Sequence, residues 1–309
     1  MVHTLFLVAA ILLGVCVGSF LNVVIFRIPA GTFFKGGHRS HCPKCGGSIA
    51  WFDNLPIVSW LFLLRGKARC CGNSISARYP LVEALTAASL GGLFLWCFPP
   101  EASLAATDLW LLFGFGTWFL AVLIACTFID IDHRILPDVL TKPTMIVGLV
   151  GAAVVPLYPL NPPDWFGSLL QGLLGMGTGL ALTATIRSTA TYLFRKDAMG
   201  FGDVKFMGAI GAFVGWDGAV LTFFLGSTLG AIYGVIHQWV TKEGQVFFGP
   251  FLAAGAVMTF FFRPEIVKFI TVTWPAWQAK QQLSPVILIA IAVGCLVCLF
   301  LLIRRARRN

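Results

Sequence analysis

The sequence predicts an all-α polytopic membrane protein of eight to nine transmembrane helices with a small zinc-ribbon-like cytoplasmic loop domain. Hydrophobic residues make up 58% of the 309 residues, and charged residues only 11%. An average soluble domain has roughly 25% charged residues. Apolar runs near the length of a membrane span recur along the chain, and the basic residues gather in a few loops. This composition excludes a disordered chain, a small disulfide scaffold and an ordinary soluble enzyme.

Nine apolar segments are candidate transmembrane helices, taken in chain order. They are 5–26, 81–98, 109–129, 144–158, 169–186, 206–216, 219–240, 247–262 and 285–303. The segment 206–216 has only 11 residues, so it crosses a membrane only if neighbouring helices shield it. The first segment is not a cleaved secretory signal, because only His3 precedes the apolar run and a basic n-region is missing.

Positive charge predicts the orientation of these helices, because cytoplasmic loops carry an excess of Lys and Arg. With the N-terminus outside and nine spans alternating, 19 of the 22 Lys and Arg residues fall on the inner side. This split predicts a cytoplasmic C-terminus and requires 206–216 to be a span of its own. The basic tail 304–308 is interpreted as a topology anchor facing anionic lipid, so lipid is a predicted partner and nucleic acid is not.

The loop 27–80 is the one polar segment of domain-like length, and it contains two cysteine pairs. Cys42 and Cys45 form a Cys-x-x-Cys motif, and Cys70 and Cys71 follow 24 residues later. Thiolates at such spacing are typical of a structural zinc site. A loop of this size has too small a core to fold alone, which gives a metal a physical purpose.

The second cysteine pair is irregular. A regular knuckle would have cysteine at positions 68 and 71, but position 68 is Ala68 and the additional cysteine is Cys70. Adjacent residues share a metal only with a strained turn, so His38 or His41 remains an alternative ligand. The other interpretation is a pair of reduced thiols in a collapsed loop.

Acidic residues near membrane helices are functional candidates because burying their charge is costly. Asp130 and Asp132 end the third span, and Asp203 opens the short span. All three lie at the predicted inner face, where two facing carboxylates can perform aspartic-protease chemistry. The alternative is that they are interfacial acids that pair with Arg134 and Lys205.

Seven ordered motifs resemble the bacterial type IV prepilin peptidases, a GxGD-type family of intramembrane aspartic proteases. The resemblance covers about residues 14–256, and the final span lies beyond it. The matching motifs are GSFLNVVI at 18–25, CPKC at 42–45, NLPIVSW at 54–60, RYPLVE at 78–83, DIDHRILPD at 130–138, GFGDVK at 200–205 and FGPFL at 248–252.

The resemblance implies an enzyme that cuts the leader from prepilins and pseudopilins, of the kind used in type IV pili and type II secretion, at the bacterial inner membrane. One catalytic aspartate carries over to Asp203. The other is Asp130, which lies seven residues before Pro137 as in the wider family pattern, with Asp132 as the alternative. Asp138 is expected to cap the helix that follows it.

The resemblance also implies methylation of the new N-terminal amine with S-adenosylmethionine, for which the loop 27–80 and Glu83 are candidates. Glu83 could equally form an ion pair with Arg78. Gly200, Gly202 and Lys205 are the residues expected to position the substrate or cofactor.

The predicted organisation has four parts. They are a first transmembrane helix at 1–26, the cysteine loop domain with the methyltransferase part at 27–80, a transmembrane aspartic peptidase domain at 81–262, and a linker with an extra C-terminal helix at 263–309. Two alternatives to the dual enzyme remain. One is a leader peptidase without methylation, because its cysteine set is irregular, and the other is a transporter with an acidic ion pathway. The sequence does not predict an oligomeric state.

Overall fold

The computed structural model describes residues 2–33, 42, 44–155, 165–195, 199–241 and 247–276. It divides into two compact units, Met1–Phe261 and Phe262–Asn309. Regular structure in the described residues is helical, apart from isolated bridges such as the antiparallel one between Lys67 and Ser74. The all-α prediction is confirmed.

The described residues form seven long helices. They are α1 (Val2–Arg27), α2 (Arg78–Cys97), α3 (Thr107–His133), α4 (Asp138–Val154), α5 (Trp165–Phe194), α6 (Phe201–Thr241) and α7 (Gly249–Lys268). All except the 17-residue α4 are long and apolar enough to cross a membrane, which makes six candidate spans. The last predicted span, 285–303, lies outside the described residues.

α6 contains a break at Gly215, whose φ of 75° and ψ of 179° are not helical. Such angles are essentially restricted to glycine. Beyond the break, a Cβ on Gly218 would lie 3.4 Å from Thr259, and one on Gly226 would lie 3.1 Å from the Cα of Leu252. Later residues of α6 therefore contact earlier residues of α7, so the second half of α6 runs antiparallel to α7.

The first half of α6 runs the opposite way. It starts beside Asp130, because Asp203 interacts electrostatically with that residue. α7 also starts beside Asp130, through a hydrogen bond from Gly249. Both halves of α6 thus have one end near Asp130, and the chain reverses at Gly215. The predicted segments 206–216 and 219–240 are the two arms of a helical hairpin.

Small residues let the helices approach closely. Gly14 and Gly18 on α1 lie against the backbone of α2 at Ala87 and Glu83, where an added Cβ would come within 2.6 Å of each Cα. Gly175 and Gly179 of α5 pack in the same way on the backbone of the first arm of α6. Close backbone contact of this kind is typical of helix packing in membranes.

An aromatic core joins α2, α3 and the first arm of α6. Phe94 stacks on Phe98 with ring centroids 5.1 Å apart, and Phe119 stacks on Phe213 at 4.6 Å. These side chains are at most 1% exposed. The core therefore fixes α3 between its neighbours along the length that leads to Asp130.

Candidate active site and metal centre

Asp130 lies in the last turn of α3 and is 7% exposed. Its Oδ2 accepts a hydrogen bond of 3.0 Å from the backbone N–H of Gly249, the first residue of α7. The first N–H groups of a helix have no partner within the helix, so a carboxylate is a favourable acceptor there. A Cβ at position 249 would lie 2.7 Å from that oxygen. The contact thus requires glycine.

Asp203 lies in the first turn of α6 and is 9% exposed. It accepts a hydrogen bond from the backbone of Gly200 and interacts electrostatically with Asp130. A Cβ on Gly202 would lie 3.0 Å from the Cβ of Leu136, in the loop that follows α3. The Gly-x-Gly-Asp motif therefore brings the start of α6 against that loop, and the buried carboxylate of Asp203 interacts electrostatically with that of Asp130.

Asp132 has different surroundings, although it is only two residues from Asp130. Its Oδ2 forms an ion pair with Nη1 of Arg78, the first residue of α2. Both side chains are partly exposed. The structure therefore brings Asp130, and not Asp132, to Asp203.

Asp138 is the first residue of α4 and makes no side-chain cap, so the prediction that it caps this helix is wrong. Its carboxylate accepts hydrogen bonds of 2.6 and 2.8 Å from Nζ of Lys205, and it also pairs with Lys142. Two lysines compete with the backbone for this carboxylate, and charge-assisted bonds are the stronger ones. Lys205 thus pairs with Asp138 and joins α4 to α6.

Glu83 lies in α2 and is 7% exposed. The alternative that Glu83 forms an ion pair with Arg78 is wrong, because Arg78 pairs with Asp132. Its Oε2 accepts a 2.7 Å hydrogen bond from the backbone N–H of Ile57. Ser19 and Asn22 of α1 also interact favourably with its carboxylate. Ile57 has a φ of 59°, a conformation that costs energy for a branched residue. Glu83 therefore holds the loop domain against α1 and α2.

Four cysteine sulfurs come together in the loop domain, from Cys42, Cys45, Cys70 and Cys71, and all lie within 4.8 Å of one another. The sulfurs of Cys42 and Cys71 are 3.8 Å apart, and those of Cys45 and Cys70 are 3.3 Å apart. Sulfurs bound to one tetrahedral zinc at ~2.3 Å would be separated by roughly 3.8 Å. These residues therefore fit a zinc ion. His38 and His41 lie outside the described residues.

The two cysteine turns repeat one hydrogen-bond pattern. The N–H of Cys42 donates to the carbonyl of Gly47, and the N–H of Gly46 donates back to Cys42. The N–H of Ala68 likewise donates to Asn73, and that of Gly72 donates back to Ala68. Ala68 therefore occupies the position of Cys42 in the second turn.

Cys70 contributes the fourth sulfur of the cluster from within the second turn. Its Sγ reaches Cys45, while neither Cys70 nor Cys71 has a positive φ. The left-handed angles fall instead on Gly46 and Gly72, at 72° and 69°. The backbone of the second turn therefore brings both adjacent cysteines to the cluster with its left-handed angle on a glycine.

The thiols of this cluster differ in acidity. Hydrogen bonds from the backbone of Cys45 and Lys44 lower the pKa of Cys42 to about 6. Hydrogen bonding to Cys45 and burial raise the pKa of Cys70 to about 12. Since metals bind thiolates, Cys42 is prepared for a metal, whereas Cys70 needs the charge of the ion to lose its proton.

Sequence reasoning did not give a role to Gly249, Ser19 or Asn22, and it offered Arg78 only as a partner of Glu83. All four stand in motifs that carry the family resemblance, so a signal was present. Each acts through a contact with a residue on another helix, however, and the sequence does not show those contacts.

The fold and these residues define a polytopic membrane protein with a buried carboxylate pair at one end of its helix bundle, the arrangement of an intramembrane aspartic peptidase. Two family models match the chain, the bacterial peptidase A24 N-terminal domain over residues 12–98 and the type IV leader peptidase family over residues 118–235. The chain belongs to the type IV leader peptidase family. This membership favours a peptidase over a transporter.

Curated relatives cover most of the chain. A protein of Stutzerimonas stutzeri named prepilin leader peptidase/N-methyltransferase is 35% identical over 273 residues, which is 80% of this chain and 88% of the relative. A protein of Xanthomonas campestris with the same name is 33% identical over 84% of this chain and 92% of the relative. The type 4 prepilin-like proteins leader peptide-processing enzyme of Escherichia coli is 37% identical over 80% and 91%. No solved structure matches the chain.

Proposed function

We propose that this enzyme removes the leader peptide of prepilins and pseudopilins, with Asp130 and Asp203 as its catalytic pair. The observation that carries the proposal is the electrostatic interaction between these two buried carboxylates, one from α3 and one from α6. The names of the relatives supply the substrate class. Asp132 is the less suitable partner, because its carboxylate is engaged with Arg78.

Peptide hydrolysis by such a pair divides the work between the two side chains. Two carboxylates at close range do not both ionise easily, so they share one proton. The ionised carboxylate takes a proton from the attacking water, and the protonated one donates to the peptide carbonyl and then to the leaving amine. The Gly249 N–H fixes the position of Asp130 through these steps.

The proposed second activity is methylation of the new N-terminal amine with S-adenosylmethionine as methyl donor. Its support is the N-methyltransferase in the names of two relatives and the match of residues 12–98 to the N-terminal domain model. Glu83 stays a candidate for this activity, and its carboxylate accepts a hydrogen bond from the backbone N–H of Ile57 in the loop domain. Its proposed role is to hold the loop domain in place.

The proposed metal is a structural zinc ion held by Cys42, Cys45, Cys70 and Cys71. The support is the mutual distance of their sulfurs. Bound zinc would crosslink two turns that are 24 residues apart in sequence and stabilise a loop domain with little core. The ion would have no part in peptide hydrolysis, since all its ligands are thiolates in the loop domain.

The proposed location is the bacterial inner membrane, with the N-terminus outside and the catalytic pair at the cytoplasmic face. Asp130, Asp203 and the loop domain lie at one end of the helices, which is the end that carries most of the Lys and Arg residues. The four-part organisation of the chain is retained in this proposal, with the peptidase domain at 81–262.

Incubation of the purified enzyme with a pilin precursor and labelled S-adenosylmethionine tests both activities at once. Asp130→Asn and Asp203→Asn should each abolish cleavage, because an amide can neither take nor supply the proton. Asp108→Asn is the matched control at the opposite end of α3 and should leave cleavage intact. Full cleavage by Asp203→Asn would refute the assignment. Cleavage without labelled product would leave a leader peptidase that does not methylate.

A further inference from the structure

The last turn of α3 is held from two sides. Side chains two residues apart on an α-helix point in nearly opposite directions, because each residue turns the helix by about 100°. Asp130 accordingly turns to the start of α7, and Asp132 turns to the start of α2. The two contacts hold the turn between separate parts of the molecule.

Hydrogen bonds at the start of α2 hold the backbone of Arg78 in place. Its backbone N–H donates to Oγ of Ser76 at 3.2 Å, and the carbonyl of the next residue, Tyr79, accepts a 3.1 Å hydrogen bond from Asn22 of α1. Gly14 and Gly18 pack α1 tightly on α2. The guanidinium that pairs with Asp132 therefore belongs to a rigid helix pair.

Apolar contacts with α1 and α2 hold α3 as far as Ile129, which is fully buried, and the ion pair of Asp132 extends this hold into the last turn. The helix ends at Arg134, which has a left-handed φ of 56° and donates its N–H to the carbonyl of Asp130 at 2.9 Å. Terminal turns of helices fray when they lack lateral contacts. A shift of this turn would move the Asp130 carboxylate away from Asp203.

We propose that the Arg78–Asp132 ion pair is a positioning device for Asp130, so that Asp132 acts on peptide cleavage through the geometry of its neighbour and does not touch the substrate. The inference rests on the proposed catalytic pair. It explains why an acid two residues from Asp130 is itself paired with a cation from another helix.

Charge exchange tests the inference. Asp132→Asn and Arg78→Gln should each lower kcat for leader cleavage about 10- to 100-fold, since misplacement of a catalytic group by ~1 Å costs up to that factor. KM should stay within about threefold, because the pair lies outside the substrate contact. The double variant Arg78→Asp/Asp132→Arg should recover most of kcat. It places an acid at the start of α2 and a base at the end of α3, as the helix dipoles favour.

Three results would overturn the inference. Full activity in both single variants would show that the pair positions nothing. Loss of all cleavage in Asp132→Asn without recovery in the double variant would make Asp132 itself catalytic. A rise in KM at constant kcat would make the pair a substrate contact.

The controls separate this inference from the proposed function. Asp108→Asn should behave as the unchanged enzyme, and Asp203→Asn should be inactive. Active Asp203→Asn would defeat the proposed catalytic pair, whatever the ion-pair variants do. Thermal unfolding of each purified variant in detergent should remain a single transition close to that of the unchanged enzyme, which excludes global misfolding as the cause of a low kcat.

Discussion

Four aspartates near one end of the molecule differ because of what each side chain meets. Asp130 meets a helix N-terminus and another buried acid, whereas Asp132 meets an arginine. Asp138 meets two lysines, and Asp203 meets the backbone of Gly200. The residue type is the same in all four, so the surroundings decide which of them suits acid–base chemistry.

Gly249→Ala tests the contact that fixes Asp130. The added Cβ would lie 2.7 Å from Oδ2 and should displace the carboxylate, lowering kcat for cleavage by about 10- to 100-fold. Gly114→Ala in α3 is the control, because its Cβ would meet no atom within 4 Å. Unchanged cleavage by Gly249→Ala, measured with a pilin precursor, would contradict the geometry given for Asp130.

The proposed role of Cys70 as a zinc ligand can be tested by metal analysis. We expect about one zinc per chain in the purified protein and loss of most of it in Cys70→Ala, because three thiolates leave the ion an open position. Ala68→Cys added to that variant should restore zinc, since Ala68 lies where a regular knuckle has its first cysteine. Cys16→Ala, outside the loop domain, serves as control. Undiminished zinc in Cys70→Ala would exclude Cys70 as a ligand.

At the scale of elements, α6 is an apolar run of 41 residues that is not one straight helix. A straight helix of that length would measure about 60 Å, twice the thickness of a bilayer core. The reversal at Gly215 divides it into a short arm that carries Asp203 and a longer arm that packs on α7. Shielding by α4 and α5 makes the short arm possible.

Gly215→Ala tests the hairpin. A side chain in this backbone region costs about 1–3 kcal/mol, so the free energy of unfolding in detergent should fall by that amount. Gly92→Ala is a matched control in α2, where the new Cβ would meet open space, and it should be neutral or slightly stabilising. Equal stability of the two variants would show that no left-handed residue is needed at 215.

At the scale of the whole molecule, the helices bring several groups of charged side chains together at one end. The carboxylate pair, the Arg78–Asp132 and Lys205–Asp138 ion pairs and the Glu83 anchor of the loop domain all lie there. The loop domain connects the end of α1 to the start of α2, so it is attached at this same end of the molecule. A leader peptide arriving from the cytoplasm would meet both proposed activities on one face.

Cysteine labelling in cells tests the orientation. Ser103→Cys, in the connector between α2 and α3, should react with a membrane-impermeant maleimide in intact cells. Ser188→Cys, near the other end of the membrane in α5, should react only after permeabilisation. The unchanged chain controls for its native thiols. The opposite labelling pattern would place the catalytic pair outside.

The sequence alone was sufficient for the class of fold, the family and the acids worth testing. Apolar runs identify membrane helices because lipid requires them locally, and the Gly-x-Gly-Asp and cysteine motifs are local too. The need for a separate short span followed from the charge split, and the reversal at Gly215 agrees with it.

Tertiary structure alone decided which side chains meet. The sequence favours Asp130 and leaves Asp132 as an alternative, and only the packing of α3 between α2 and α7 gives the first a glycine N–H and the second an arginine. The partner of Glu83 and the use of Cys70 in place of position 68 were decided in the same way. Contacts between distant segments depend on how helices pack and turn, and a local pattern of residues does not contain that information.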